Sequence, residues 1–241
     1  MRYAVLSDIH ANLEALRAVL ADCQGEVDGL VCLGDLVGYG ADPLACVEIV
    51  AERADRLIAG NHEYGVAGLL DLAWFNPAAR AAAEWTASRL DADHRAYLAA
   101  LPLSANLPDA TLVHASPRHP EEWEYLITPE DGFEAFAAFD TRLCFVGHSH
   151  RPGCWSLGSA GHDYERGAGE ILLEAGRRYI INVGSVGQPR DRDPRACYAV
   201  WDVDGRRVSI RRVTYDAAEA RRKIVAAGLP RILADRLVNG L

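Results

Sequence analysis

Positive charge is scarce in this chain. Lys and Arg together number 25 against 34 Asp and Glu, the formal net charge is -9, and Lys223 is the single lysine. General nucleic-acid binding draws on a basic surface that displaces counterions, so it is disfavoured here. A local basic pocket for a small anion is compatible with the same balance. Long apolar runs are also missing. The longest in the first half, Tyr64 to Phe75, contains Asp71 and is far shorter than the roughly 20 residues that span a bilayer. No membrane anchor is expected. The chain opens MRYAVLSD and enters an apparent strand at once, without the basic segment, apolar stretch and cleavage site of a leader. A cytoplasmic location is the expectation. The six cysteines lack CxxC spacing, and four sit inside apolar runs, so free buried thiols are expected rather than a disulfide or zinc framework. There is no internal repeat, low-complexity tract or linker.

What is present is a core. Half of the 241 residues are apolar, enough for a large α/β unit. Tyr3 to Leu6, Leu30 to Leu33 and Arg56 to Ala59 read as strands. Between them, Leu13, Leu16, Val19 and Leu20 recur at helical spacing, and Asp42 with Pro43 marks a capped helix ending near Arg53. Such alternation predicts a parallel core covered by helices. From about 63 to 101 the strands stop, and helices starting at Asn76 and near Asp91 form a helical insertion. Thr111 to Val113 and Leu143 to Val146 are strands again, with a helix from Thr128 through Phe139 between them. The last third is richer in antiparallel signals, at Gly153 to Leu157, Glu170 to Leu173, Tyr179 to Val183, Cys197 to Val203 and Arg207 to Val213. Asp204 and Gly205 are predicted to make a two-residue hairpin turn, and Asp216 caps a closing helix that Gly228 and Pro230 interrupt. The expected organisation is one compact domain over 1–241.

The chemistry gathers behind the strands. Asp8 and His10 follow the first, Asp35 the second, Asn61 and His62 the third; His114 ends TLVH, and His148 and His150 follow LCFVG. Five strands thus deliver eight polar side chains to the carboxyl edge, where open α/β sheets place their sites. Residues two apart in extended chain face the same side, so His148 and His150 can serve one object. Each block alone has a plain structural reading, as a helix cap, a turn or a polar strand end. Caps and turns do not demand five of the chain's eight histidines at strand ends. Seven of the side chains suit two metal ions, and mixed carboxylate, amide and imidazole donors favour Mn²⁺, Fe²⁺ or Zn²⁺ over Ca²⁺. Ions about 3.5 to 4 Å apart need a bridging oxygen ligand, for which Asp35 is the central candidate, and a bridging water becomes a hydroxide nucleophile at neutral pH.

The ordered blocks DIH, GDLVGYG, GNHE, LVHASP and GHSH, from Asp8 to His150, resemble the calcineurin-like metallophosphoesterase superfamily, in particular its small single-domain prokaryotic members. GSVGQPRD extends the likeness to Asp191. The resemblance implies an α/β fold, a four-layer αββα sandwich of two mixed β-sheets flanked by helices. It implies that Asp8, His10, Asp35 and His150 hold one ion, that Asp35, Asn61, His114 and His148 hold the other, and that His62 is the general acid that protonates the leaving oxygen. Two divalent ions are expected, Mn²⁺ foremost, with Fe²⁺, Zn²⁺, Ni²⁺ or Co²⁺ as alternatives.

The expected activity is metal-dependent hydrolysis of small phosphate esters, with phosphodiesters or nucleotides ahead of monoesters. A dinucleoside polyphosphate hydrolase and a protein phosphatase are alternatives within that class, and a non-catalytic scaffold or sensor is the alternative outside it. All eight site positions being filled favours catalysis. Arg118 and Arg190 are candidates for binding substrate phosphate, because guanidinium forks match its oxygens. Trp123 and Tyr125 could stack on an aromatic group, with packing the plainer reading. The apolar first part of the insertion, Leu69 to Phe75, either packs on the main body near the site mouth or contacts another subunit. Nothing in the pattern specifies an oligomeric state.

Overall fold

The computed structural model describes residues 1–167 and 169–241. Its first strand, β1 (Arg2–Leu6), is buried on both faces. Ala4 and Leu6 enter one apolar cluster while Tyr3 and Val5 enter another, because successive strand residues point opposite ways. The remaining elements follow as α1 (Leu13–Cys23), β2 (Gly29–Cys32), α2 (Pro43–Arg53), β3 (Arg56–Leu57), α3 (Asn61–Ala67), α4 (Pro77–Arg89), α5 (Ala92–Ala99), β4 (Ser104–Leu107) and β5 (Ala110–Val113). Then come α6 (Pro129–Ala135), β6 (Leu143–Val146), β7 (Gly153–Gly158), β8 (Gly161–Arg166), β9 (Glu170–Leu172), β10 (Arg178–Asn182), β11 (Ala196–Asp202), β12 (Arg207–Val213), α7 (Ala217–Ala226) and α8 (Arg231–Asn239).

Two six-stranded mixed sheets result, ordered β3-β2-β1-β11-β12-β9 and β4-β5-β6-β10-β7-β8. In the first, β1, β2 and β3 run parallel; in the second, β5, β6 and β10 do. Their inner faces share a core of Val5, Val31, Leu112, Phe145, Ile181 and Trp201. Helices α1 and α2 cover the outer face of the first sheet, and α6 covers that of the second through Ala135 against Cys144, Val146 and Trp155. These are the four layers of the αββα sandwich. Phe145, fully buried between the sheets, would cost about 3–5 kcal/mol to truncate to alanine.

Helix starts follow local chemistry. Asn76 Oδ1 accepts from the Ala78 and Ala79 N–H groups at the helix that Pro77 opens, the Asp91 carboxylate accepts from His94 N–H, and that of Asp216 from Glu219 N–H. Asp42 departs from the expected cap. Its carboxylate makes no capping bond but takes the Lys223 ammonium at 2.9 Å, and Lys223 also reaches Glu14 at 2.5 Å. The lone lysine therefore ties α7 to the starts of α1 and α2. The α6 helix also ends earlier than expected, at Ala135, and a 3₁₀ turn at Phe136–Ala138 carries the chain on. The expected two-residue hairpin turn is a four-residue connection, Val203 to Arg206, with Asp204 and Gly205 at its centre and the Asp202 carboxylate accepting from Gly205 N–H. All six cysteines are free and buried. Among the described residues no helix is long and apolar enough to cross a membrane.

Candidate metal centre

The parallel strands of both sheets end at one place. Behind β1 and β2 the two loops are laced together: Asp8 N–H donates to Gly34 O at 3.0 Å, His10 N–H to Asp35 O at 2.8 Å, and Ala11 N–H to Leu36 O at 2.7 Å. On the other sheet Gly147 N–H donates to His114 O at 2.8 Å, joining the ends of β5 and β6. The loop after β10 bridges the sheets, with Ser185 Oγ–H and Gly187 N–H both donating to Asp8 O. Bending five loops into one spot forces unusual backbone. Asp8, His10, Asp35, His148 and His150 all have φ between 49° and 62°, a region that non-glycine residues seldom enter and that marks functional sites.

Each carboxylate spends one oxygen on the scaffold and aims the other inward. Asp8 Oδ2 accepts from His148 N–H at 3.0 Å, and Asp35 Oδ1 from His62 N–H at 2.9 Å. The free oxygens then face imidazoles: Asp8 Oδ1 lies 3.2 Å from His150 Nε2, and Asp35 Oδ2 lies 3.3 Å from His114 Nε2 and 3.6 Å from His10 Nε2. Nδ1 of His10, His114 and His150 sits against the carbonyl oxygens of Val37, Leu33 and Gln188. A carbonyl only accepts, so these Nδ1 atoms carry the proton and the Nε2 lone pairs point into the cluster. His10 Nε2 and His150 Nε2 stand 3.1 Å apart, an arrangement of facing lone pairs that calls for a cation. Asp8 Oδ1, Asn61 Oδ1 and His148 Nε2 are buried with no hydrogen-bond partner. Three sets of ligand atoms lie within 4.8 Å of one another: Asp8, His10 and His150; His10, Asp35 and His62; Asp35, His114 and His148. These donors fit divalent metal ions.

The electrostatics agree. Burial opposes charge on Asp8 and Asp35, but the rings beside them, His150 and His114 respectively, overcome it and hold both below the usual carboxylate range. Burial pushes His10 and His150 down, His62 to about 4 and His148 to about 3. His114 goes the other way: burial lowers it, yet the Asp35 carboxylate at its side raises it to about 9. His10, His62, His148 and His150 therefore offer unprotonated nitrogen at neutral pH, the state a metal ligand requires, whereas His114 must lose its Nε2 proton to join them.

His62 is buried, and its ring packs 4.5 Å from Tyr39, 4.8 Å from His10 and 5.0 Å from Phe75, centroid to centroid. A Cβ at Gly38, where φ is +83°, would lie 2.1 Å from His62 Nδ1, so glycine is required for the ring to sit there. Sequence reasoning gave no role to the residue that follows. Glu63 is fully buried, and its carboxyl accepts from Asp35 N–H at 2.7 Å, Gly60 N–H at 2.8 Å and Val37 N–H at 3.2 Å. It clamps the second loop to the third. Burial, then the Asp35 carboxylate, push it up to about 8 against the pull of its N–H donors. Its signal was present, a glutamate three residues after the helix-capping Gly60. Asn182, the last residue of β10, whose Nδ2 donates to Gly147 O at 2.6 Å, and Ser185 in the loop that follows were missed as well.

The two candidate arginines separate. Arg190 stands at the cluster: its N–H donates to His150 O, its Nη2 reaches Tyr39 Oη at 3.3 Å, and its guanidinium lies 5.6 Å over the Tyr39 ring. Arg118 is engaged by Glu134 at 2.5 Å. Tyr125 stacks on His148 with centroids 4.0 Å apart, while the buried Trp123 packs on Tyr64 and His114. His94 pairs with Asp91 and His162 packs on Phe133, away from the cluster.

Known proteins resemble this chain in sequence and fold. The chain is 41% identical over 242 residues to the uncharacterized protein MJ0912 of Methanocaldococcus jannaschii, covering 98% of this chain and 97% of that protein. A metallophosphoesterase from Sphaerobacter thermophilus superposes with a TM-score of 0.88 at 44% identity over 100% of this chain and 99% of its own. The hypothetical protein PH1004 of Pyrococcus horikoshii shares the fold, with a TM-score of 0.78 at 21% identity over 100% and 98%. The model of the calcineurin-like phosphoesterase superfamily domain matches residues 1–206, and the chain belongs to that superfamily.

Proposed function

We propose that this chain is a metal-dependent hydrolase of small phosphate esters, with phosphodiesters and nucleotide esters as its substrates. Asp8, His10, Asp35 and His150 would hold one divalent ion, and Asp35, Asn61, His114 and His148 the other. The observation that carries this reading is the set of buried lone pairs turned on one point, several without any hydrogen-bond partner. Mn²⁺ suits the mixture of oxygen and imidazole donors. When bound, such a pair of ions neutralises phosphate oxygens and activates water for in-line attack.

The chain's own residues supply the rest. His62, held between Tyr39 and Phe75, delivers a proton to the leaving oxygen. Burial keeps its ring neutral near pH 7, and a phosphate oxyanion beside it favours the protonated form it needs. Arg190 offers its fork to the non-bridging oxygens; Arg118, already paired with Glu134, is assigned at most an outer contact. A cleft of about 590 Å³ opens beside Asn61 and His148, which leaves room for the second substituent of a diester. Six free buried thiols suit a reducing compartment such as the cytoplasm.

The test is hydrolysis of bis(p-nitrophenyl) phosphate, p-nitrophenyl phosphate and an alkyl phosphate ester that must expel an alkoxide, with Mn²⁺ or with a chelator, by wild type and His62→Ala. Manganese-dependent cleavage faster on the diester is expected. With an alkoxide leaving group the variant should lose about 100- to 10,000-fold, and less with nitrophenolate, which leaves unprotonated. A metal-loaded protein that cuts neither ester would overturn the activity. Equal turnover by the variant on the alkyl ester would remove His62 from the reaction.

A further inference from the structure

We infer that the cleft beside the ligand cluster receives the nucleobase of a nucleotide ester, an assignment that takes its phosphate end from the hydrolase reading above. The cleft, about 590 Å³, shares Asn61 and His148 with the cluster, so a group lying in it is continuous with a phosphate held there. That volume lies within the range of small-ligand and cofactor sites. Its walls are aromatic: Phe75 backs onto His62, Tyr125 onto His148, and Trp123 onto His114. Three rings of the cleft thus stand directly behind three imidazoles of the cluster.

Trp74 completes the wall and is 84% exposed. An indole left so open is held there by its turn, a 3₁₀ segment at Leu72–Trp74 capped by the Asp71 carboxylate on Ala73 N–H at 2.8 Å. Leu72 and Phe75 pack inward beneath it. The ring is therefore presented rather than merely loose. A flat base stacking on it would recover the area it leaves in water, and stacking on aromatic side chains accepts any base.

Charge sets the orientation. Among the described residues no lysine or arginine lines the cleft, and its carboxylates are those of the exposed Glu121 and Glu122. Two carboxylates repel a second phosphate. They accept hydrogen bonds from the amino and ring N–H groups of a base. The phosphate end belongs toward Arg190 and the ligand cluster, the base toward Glu121 and Glu122. A quaternary ammonium also suits aromatic faces with carboxylates, but choline is small for this cleft, whereas a base with its sugar fills more of it.

Calorimetric titration of the manganese-loaded protein with AMP, UMP, ribose 5-phosphate and phosphocholine tests the assignment, since the four share a phosphate and differ in what fills the cleft. AMP should bind about 5- to 150-fold more tightly than ribose 5-phosphate, and more tightly than UMP, whose single ring stacks over less area and which offers one N–H where the adenine amino group offers two. In Trp74→Ala and in Tyr125→Ala, both exposed enough to fold, the ratio of AMP to ribose 5-phosphate affinity should fall toward one. A wild-type ratio near one, a ratio that survives both substitutions, no measurable AMP binding, or tighter binding of phosphocholine would each overturn it. Hydrolysis of base-free esters without any base preference would leave the hydrolase reading standing and remove this one. Base preference without cleavage of any ester would do the reverse.

Discussion

Replacing Glu63 by glutamine tests how the centre is braced. The carboxyl accepts three backbone N–H bonds, two at Oε2 from Asp35 and Gly60 and one at Oε1 from Val37. Glutamine keeps the length but turns one acceptor into an NH₂ donor. Its oxygen will take the Oε2 position, where two bonds are kept, leaving the amide nitrogen against Val37 N–H. One buried donor loses its partner and a second donor faces it, which costs about 1–3 kcal/mol. For a chain of this size that is a fall in melting temperature of about 2–12 °C. Because Asp35 is held through its own N–H, metal affinity should also drop, by about 10- to 100-fold, as for other residues that orient a ligand. Thermal melts of the metal-free protein at pH 9, above the value of about 8 to which burial and the Asp35 carboxylate push Glu63, so that wild type holds it ionised, and calorimetric titration with Mn²⁺ read the two effects separately. Glu84→Gln is the control, since Glu84 is half-exposed and pairs with Arg80 four residues away, a solvent-screened contact whose loss should leave the melt unchanged. If Glu63→Gln melts with wild type and binds Mn²⁺ equally well, the three N–H bonds do not hold the loops and the reasoning fails.

Asp35→Asn keeps an oxygen for His62 N–H but removes the charge shared by two ligand sets; metal analysis should find no more than one ion per chain, and two retained ions would contradict the assignment. Gly38→Ala drives a methyl group to 2.1 Å from His62 Nδ1 at a φ of +83°. It should lower turnover of an alkyl ester with little change in metal content and destabilise by more than about 1 kcal/mol; an unchanged rate would show that the ring position does not matter. Asp131→Asn weakens the Ile127 and Thr128 N–H bonds that open α6, at about 1 kcal/mol in urea melts at pH 7. Burial resists ionisation of Asp131, yet those bonds hold its pKa below 3.8. Its contribution is therefore complete above the unfolded value and lost as pH falls through the folded one, so the gap between wild type and variant should narrow below about pH 4; a gap constant with pH would refute the charge argument.

Strands with two buried faces were legible in the chain because their apolar runs need no alternation. Leu143, Cys144, Phe145 and Val146 are all buried, in two different clusters. The strands that escaped reading, β4 and β8, are the two edges of the second sheet. Neither has a fully buried residue along its length, so neither carries a pattern to read. The same division runs through the centre. Groups that offer a lone pair to the cluster stand directly behind strands and can be found by position. Glu63 has a local mark, its bond to Gly60 N–H three residues back, but its hold on Asp35, 28 residues away, and that of Ser185 on Asp8, 177 residues away, are specified by no local signal. Nor could sequence rank Arg190 above Arg118, for the difference lies in Glu134, sixteen residues from Arg118 and on another element.

The backbone of the centre explains why so many residues brace it. Five of the proposed ligands sit at positive φ, each costing about 1–3 kcal/mol, somewhat less for Asp than for bulkier side chains. Such conformations persist only where surrounding bonds leave no alternative. Here the bonds from Asp8, His10 and Ala11 to the second loop, from His148 to Asp8, from Ser185 and Gly187 to Asp8, and from Arg190 to His150 tie each strained residue to a loop behind a different strand. Strain at one loop is thus opposed by the other sheet. Because each carboxylate already gives one oxygen to an N–H and three imidazoles give Nδ1–H to carbonyls, the inward donors are oriented by the fold itself. Little reorganisation then opposes metal binding, and most of the cost of shaping the centre is met when the two sheets fold together.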